Sequence, residues 1–263
     1  MAGASPAISK NLLMPEIPFI PPELVDARLL AAALTVFASG LIRGFSGFGS
    51  ALINAPVLSL IYGPTVGVPV AAIVEIAPAI QLTLPAVRIA EWKQVWAFSI
   101  PAVILLPAST FVLTSVPADE MRRAIGAIVL ILAIILWSGW RYRGPRGTGP
   151  AICVGLIGGT LAGATGVAGP PVILYLMSSD ARPALIRANL ISYFTIILFG
   201  LAATFAIKGL ITVDVLWITA ALVIPFMAGT AIGTCMFNLA SETTFRRIAL
   251  TALTLSSIYV LTA

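Results

Sequence analysis

The chain has 263 residues, of which 59% are hydrophobic and 10% charged, with a mean hydropathy of +1.06. Soluble domains carry about a quarter charged residues, so this composition describes an integral membrane protein, and apolar stretches from 27 to 263 leave no segment for a soluble domain with its own core. A net charge of +5, no histidine and two cysteines argue against nucleic-acid binding, histidine catalysis, metal clusters and a disulfide framework, and no cofactor is expected.

The N-terminal tail, 1–26, has no basic region followed by an apolar stretch and a small-residue cleavage site, so it does not read as a signal peptide. Its prolines, with Phe19 and Ile20, suggest an extended or interfacial lead-in. Apolar runs follow at 27–62, 66–87, 95–116, 121–140, 151–177, 188–207, 215–237 and 244–263. Most are close to the 20 or so residues that cross a bilayer. The first is not: its 36 residues would make a helix of about 54 Å against a hydrocarbon core of roughly 30 Å. It must break, and the break belongs at its glycines.

Gly40, Gly44 and Gly47 in GLIRGFSGFGSALINAP recur at the same spacing as Gly159, Gly163 and Gly166 in GTLAGATGVAGPP, 119 residues later. The second run is also overlong, and Pro170 and Pro171 just past its glycines are placed to start a new helix. Each segment is therefore expected to be a helix, a glycine-rich turn and a shorter second helix. The duplication extends further, because Pro101 and the Met121–Arg123 triplet match Pro225 and the Phe245–Arg247 triplet, 124 positions on. The expected organisation is a tail (1–26), a first membrane repeat (27–142), a polar linker RYRGPRGTGP (143–150 at its core) and a second membrane repeat (151–263).

Parity gives the topology. If each broken segment returns to its starting side, three spans remain in each half and the halves are inverted. That arrangement puts 9 Lys and Arg on one face and 5 on the other, against 8 and 6 if each broken segment crosses once. The positive-inside rule mildly prefers inversion, with both termini outside. The fold class expected is all-α: a polytopic protein of two homologous, inverted repeats, each with a broken glycine-rich helix or re-entrant hairpin plus three spans.

Broken helices expose backbone N–H groups at the start of the second half-helix, and these with the helix dipole suit an anion. The donors come from about 47–51 and 166–170, with Gly47, Gly49, Gly166 and Gly169 letting the chain approach a solute closely. Arg43, Ser46, Ser50 and Asn54 surround the first break, and Thr160 and Thr165 the second. The alternative use of the glycines is tight helix packing, since Gly155, Gly159 and Gly163 also stand four apart.

Arg43 and Glu75 are the ionisable residues placed deepest, and Glu75 sits near the middle of its run. An unpaired carboxylate there costs several kcal/mol. In one interpretation Arg43 attracts an anionic substrate while Glu75 exchanges a proton; in the other the two form a structural ion pair. Neither has an ionisable counterpart 119 residues on, where Ala162 and Phe194 stand. Asn54, Gln81 and Asn189 are read first as interhelical hydrogen-bond formers, Trp92, Trp96, Trp137, Trp140 and Trp217 as interfacial residues, and Cys153 and Cys235 as small packing residues. Asp119, Glu120, Asp180, Asp214 and Glu242 read as loop or helix-start acids.

At RGFSGFGSALINAPVLSLIYGP, then the Glu75-bearing run, then GATGVAGPPVILYL, the chain resembles the TauE/SafE family of sulfite and organosulfonate exporters. The resemblance covers nearly everything after the tail. It implies a multi-pass permease of the bacterial inner membrane that moves small sulfur-containing anions such as sulfite, sulfoacetate or taurine-like sulfonates by secondary transport. No GxxxxGK[ST] phosphate loop argues otherwise.

The combined expectation is a proton-coupled carrier in which Arg43 and the helix N-termini bind the anion, Ser46, Ser50, Asn54 and Thr165 add hydrogen bonds, and Glu75 moves the proton. An uncoupled small-anion channel is the rival, and an intramembrane enzyme lacks a nucleophile and base. The partners are then the solute and the lipid bilayer, with a homodimer left open.

Overall fold

The computed structural model describes residues 27–46, 48–140, 142–236 and 251. The N-terminal tail, Gly47, the run at 244–263 apart from Thr251, the Arg246–Arg247 pair and Glu242 lie outside the described residues. Within them the chain is all helix: α1 (Ala27–Ser46), α2 (Ser50–Tyr62), α3 (Pro64–Val74), α4 (Ile76–Ala86), α5 (Trp92–Ser115), α6 (Ala118–Trp137), α7 (Thr148–Thr165), α8 (Gly169–Met177), α9 (Pro183–Ile207) and α10 (Val213–Met236). Six segments are long and apolar enough to cross a membrane, namely α1, α3 with α4, α5, α7, α9 and α10. Helix α6 has 20 residues, with Asp119, Glu120, Arg122 and Arg123 gathered at its start. Leu30, Leu84, Ile104, Phe111, Ile207 and Ile224 are exposed on the outer surface, which in this chain is the surface offered to lipid.

Both overlong runs break where their glycines stand. The first stops at Ser46 and restarts at Ser50 after Gly49, whose φ of 98° only glycine adopts without strain. The second stops at Thr165 and restarts at Gly169, with Gly166 at φ 77°. Helix α2 folds back along α1, since Ser39 Oγ donates to Asn54 Oδ1 at 2.6 Å and Arg43 to Ser50 Oγ at 3.3 Å. A third interruption goes beyond the sequence reading, which takes 66–87 as one span: α3 and α4 are separate helices that meet at Glu75. Pro78 explains it, because it has no N–H for the Val74 carbonyl and its ring crowds that turn.

The earlier glycines of each ladder serve packing. A Cβ on Gly40 would lie 2.6 Å from the Phe226 carbonyl oxygen, and one on Gly44 would run into that of Thr230, so α1 lies parallel to α10 with backbones in contact. In the same way Gly155 faces the Phe98 carbonyl, Gly159 that of Ala102 and Gly163 that of Leu106, holding α7 parallel to α5. Two contacts correspond residue for residue, Gly40–Phe226 with Gly159–Ala102 and Gly44–Thr230 with Gly163–Leu106, with glycines 119 and carbonyl partners 124 positions apart.

One apolar core joins α5, α7, α8 and α9 around Phe98, which meets Tyr175 and Tyr193 edge-on at 5.4 and 6.2 Å. A second lies among α1, α3 and α10 around Val36, Val70 and Phe226. The polar linker is tied down, with Gly147 N–H donating to the Tyr175 hydroxyl at 3.1 Å and Tyr142 N–H to Ser178 Oγ at 2.8 Å. Trp92, Trp96, Trp137 and Trp140 are exposed near helix ends, as belt residues should be. Cys153 and Cys235 are also exposed, which corrects the expectation that they pack inside: each sits on an outward helix face, where a thiol meets lipid.

Candidate functional site

The two glycine breaks come together. Residues 48–52 at the start of α2 and residues 166–170 leading into α8 line one cavity, together with Arg43, with Ala71, Ala72 and Glu75 at the α3–α4 junction, and with Phe194, Ile197, Leu198 and Leu201 of α9. Its volume is about 30 Å³, on a measure by which one water needs about 10–15 Å³. This is room for about two waters, so a larger solute enters only as the surrounding helices part.

Charge sits at one pole. Arg43 reaches the cavity from the last turn of α1 and Glu75 from the α3–α4 junction; they pair at 2.5 Å, each about 4% exposed. Ser50 Oγ completes the group by donating to Glu75 Oε1 at 2.6 Å and accepting from Arg43 Nη1 at 3.3 Å. Arg43 Nε has no hydrogen-bond partner among the described residues, so the guanidinium retains a donor beyond those the carboxylate and hydroxyl use. A charge this deep requires a partner, and here a single carboxylate and a single guanidinium provide for each other. Among the described residues, no other ionisable side chain lines the cavity.

Helix termini add to that pole. Helix α2 begins at Ser50 without a side-chain cap, and Ser50, Ala51 and Leu52 of its first turn line the cavity together with Arg43. Helix α8 begins with Gly169, Pro170 and Pro171, and the prolines leave it fewer donors, as the sequence indicates.

Of the residues singled out in the sequence, Arg43, Gly49, Ser50, Glu75, Gly166 and Gly169 all line the cavity. Asn54 and Thr165 do not. Asn54 is buried behind α2 against Ser39; Thr165 Oγ1 donates to the Leu161 carbonyl and accepts from Val167 N–H at 3.3 Å, supporting the turn. Thr160 bonds its own helix at Leu156. Ser46 closes α1, and Gly47 is outside the described residues. Asn189 ties α9 to α5 by accepting from Glu91 N–H at 2.7 Å and donating to Gln94 at 2.9 Å, the interhelical role expected of it, whereas Gln81 is exposed.

Sequence reasoning missed the α9 wall and the break at Glu75. A proline three residues after a buried acid was a usable signal for the break. Nothing in the Phe194–Leu201 stretch distinguishes it from any other apolar helix.

A family model described as Sulfite exporter TauE/SafE matches residues 32–260, and the chain belongs to that family. Among curated proteins and among solved structures nothing matches it. Membership makes the chain a multi-pass transport protein of the inner membrane and not an enzyme.

Proposed function

We propose that this TauE/SafE member is a secondary, proton-coupled carrier of small sulfur-containing anions, such as sulfite or organosulfonates, with its substrate site at the Arg43–Ser50–Glu75 pole of the cavity. The observation that carries this reading is the occupied state of Arg43. Its guanidinium is neutralised by Glu75, and an incoming anion would place a second negative charge beside that carboxylate. Like charges in a desolvated site are strongly unfavourable. The anion therefore takes over Arg43 when Glu75 accepts a proton, and solute and proton move together. Ser50 then has its donor free for the substrate, alongside the α2 amides near Gly49. In this reading Ser46 and Gly47 lead into α2 as the sequence suggests, Gly166 and Gly169 form the opposite wall, and Asn54 and Thr165 hold the helix ends in shape.

The carrier is built in this reading as two inverted halves, 27–142 and 151–263, joined by the linker. Two observations support it. The glycine–carbonyl contacts of α1 with α10 repeat those of α7 with α5, and both breaks open onto one cavity. Rocking of one half against the other would then expose the cavity to each side in turn. Each chain holds a whole cavity, so a homodimer would carry two.

The test is uptake into proteoliposomes. A proton gradient, acid outside, should drive sulfite or sulfoacetate above its equilibrium level, and Arg43→Ala should abolish that uptake while the protein remains folded. A channel would equilibrate the anion and stop there.

A further inference from the structure

Between the cavity and one end of the bundle, α4 and α9 meet along a seam. Next to the cavity-lining Phe194, Thr195 turns toward α4, where its hydroxyl meets that of Thr83 at 2.6 Å. Thr83 is eight residues past Glu75, about 12 Å along the helix. Beyond the pair the seam is closed by Ala86, Ala188 and Ile191. It ends where Arg88, Lys93, Arg182 and Arg187 stand exposed at the adjoining ends of α4, α5 and α9, outnumbering the exposed acids Glu91 and Asp180 there four to two. Such a cluster raises the local concentration of anions.

Two features make this seam suited to opening. Helix α4 is lightly buried: only Pro78, Ala79 and Ala86 of its 11 residues are buried, the helix is interrupted at Glu75 where it continues from α3, and Pro85 lacks the N–H that would bond Gln81. Elsewhere in the bundle helices are locked by backbone contact, α1 with α10 and α5 with α7, and among the described residues α4 has no such contact with α9. Second, each threonine has another acceptor in its own helix, Thr83 at the Ala79 carbonyl (2.7 Å) and Thr195 at the Ile191 carbonyl (2.9 Å). Parting the helices thus leaves neither hydroxyl without a partner.

Resting on the carrier reading above, we propose that the anion travels between the cavity and the basic face along the α4–α9 seam, and that the Thr83–Thr195 hydroxyl pair is the closed gate of that route. When α4 swings about the Glu75 junction the two hydroxyls separate and line the path, offering a passing anion hydrogen bonds in place of water. The residue whose protonation frees Arg43 is also the pivot, so binding and opening act on the same junction.

A cross-link tests this. With Cys153 and Cys235 replaced by Ser, Thr83→Cys and Thr195→Cys are combined in the full chain, since hydroxyls in contact place Cβ atoms within disulfide range. Uptake of radiolabelled sulfoacetate and methanesulfonate into proteoliposomes is measured before and after oxidation; sulfite is avoided because it cleaves disulfides. Oxidation should reduce Arg43-dependent uptake at least tenfold, and dithiothreitol should restore it. A cross-linked chain that transports at its unoxidised rate overturns the gate and leaves the Arg43 site standing. If the pair resists oxidation, Thr83→Cys alone is treated with an anionic methanethiosulfonate: progressive block slowed by the transported anion supports the route, and an unreactive or harmlessly modified cysteine overturns it. Absence of Arg43-dependent uptake of either anion overturns site and gate together.

Discussion

Replacing Glu75 by Gln separates the two roles its carboxylate combines. The side chain keeps its size and can still accept from Ser50 Oγ, which now lies 2.6 Å from the carboxylate, but Arg43 becomes a buried cation without a counter-ion. Losing one partner of a buried pair costs about 3–5 kcal/mol, and the retained hydrogen bonds return part of that, so a lower melting temperature is expected. Anions should reverse the loss. A solute at 100 times its dissociation constant stabilises by about 2.7 kcal/mol, and in the variant it meets an unopposed Arg43.

The pH dependence follows with its sign. In the proposed cycle each anion bound takes up one proton, and one-proton linkage lowers affinity about tenfold for each pH unit of rise, equivalent to about 1.4 kcal/mol. With glutamine, which takes up no proton, that slope vanishes. Thermal-shift titration of purified protein from pH 5 to 8 measures the slope, and proteoliposome uptake under a pH gradient measures coupling. A variant that still concentrates solute with the parent's pH slope would refute the exchange of Glu75 for substrate at Arg43.

Ser50→Ala removes the hydroxyl that bridges both charges; uptake should fall about tenfold, consistent with a charge-assisted hydrogen bond of about 1.5–3 kcal/mol, with the protein still folded by size-exclusion chromatography. Gly40→Val and Gly159→Val each drive a side chain into a carbonyl on the neighbouring helix, and both should lower the melting midpoint by several degrees, as overpacking of about 1–3 kcal/mol implies. A neutral result at either would show those backbones to be farther apart. Asn189→Leu strands the Glu91 N–H and the Gln94 side chain; a cost of about 1–3 kcal/mol should appear as faster hydrogen exchange at residues 90–95.

Much of this molecule could be read before any coordinates. Composition alone made it a membrane protein, because a chain with 10% charged residues has too little polar surface to face water. Length then required the first run to break, since 36 residues as one helix exceed the bilayer. Glycine supplied the place, because Gly49 and Gly166 adopt backbone angles closed to other residues. These are local properties, fixed by covalent chemistry and the dimensions of lipid.

What lay beyond reach were the properties of assembly. The sequence left Arg43 and Glu75 open between substrate chemistry and a structural pair, and only the packing of α2 and α3 beside α1 brings them within hydrogen-bonding distance across 32 positions of chain. The glycine ladders were likewise undecided between packing and binding. The fold divides them, using Gly40, Gly44, Gly159 and Gly163 against neighbouring carbonyls and Gly49, Gly166 and Gly169 at the cavity. The α9 wall and the threonine seam carry no local signature at all. Hydropathy specifies that a segment crosses the membrane, but which of its faces meets lipid, another helix or a cavity depends on neighbours far away in the chain, so it is settled only when the helices pack.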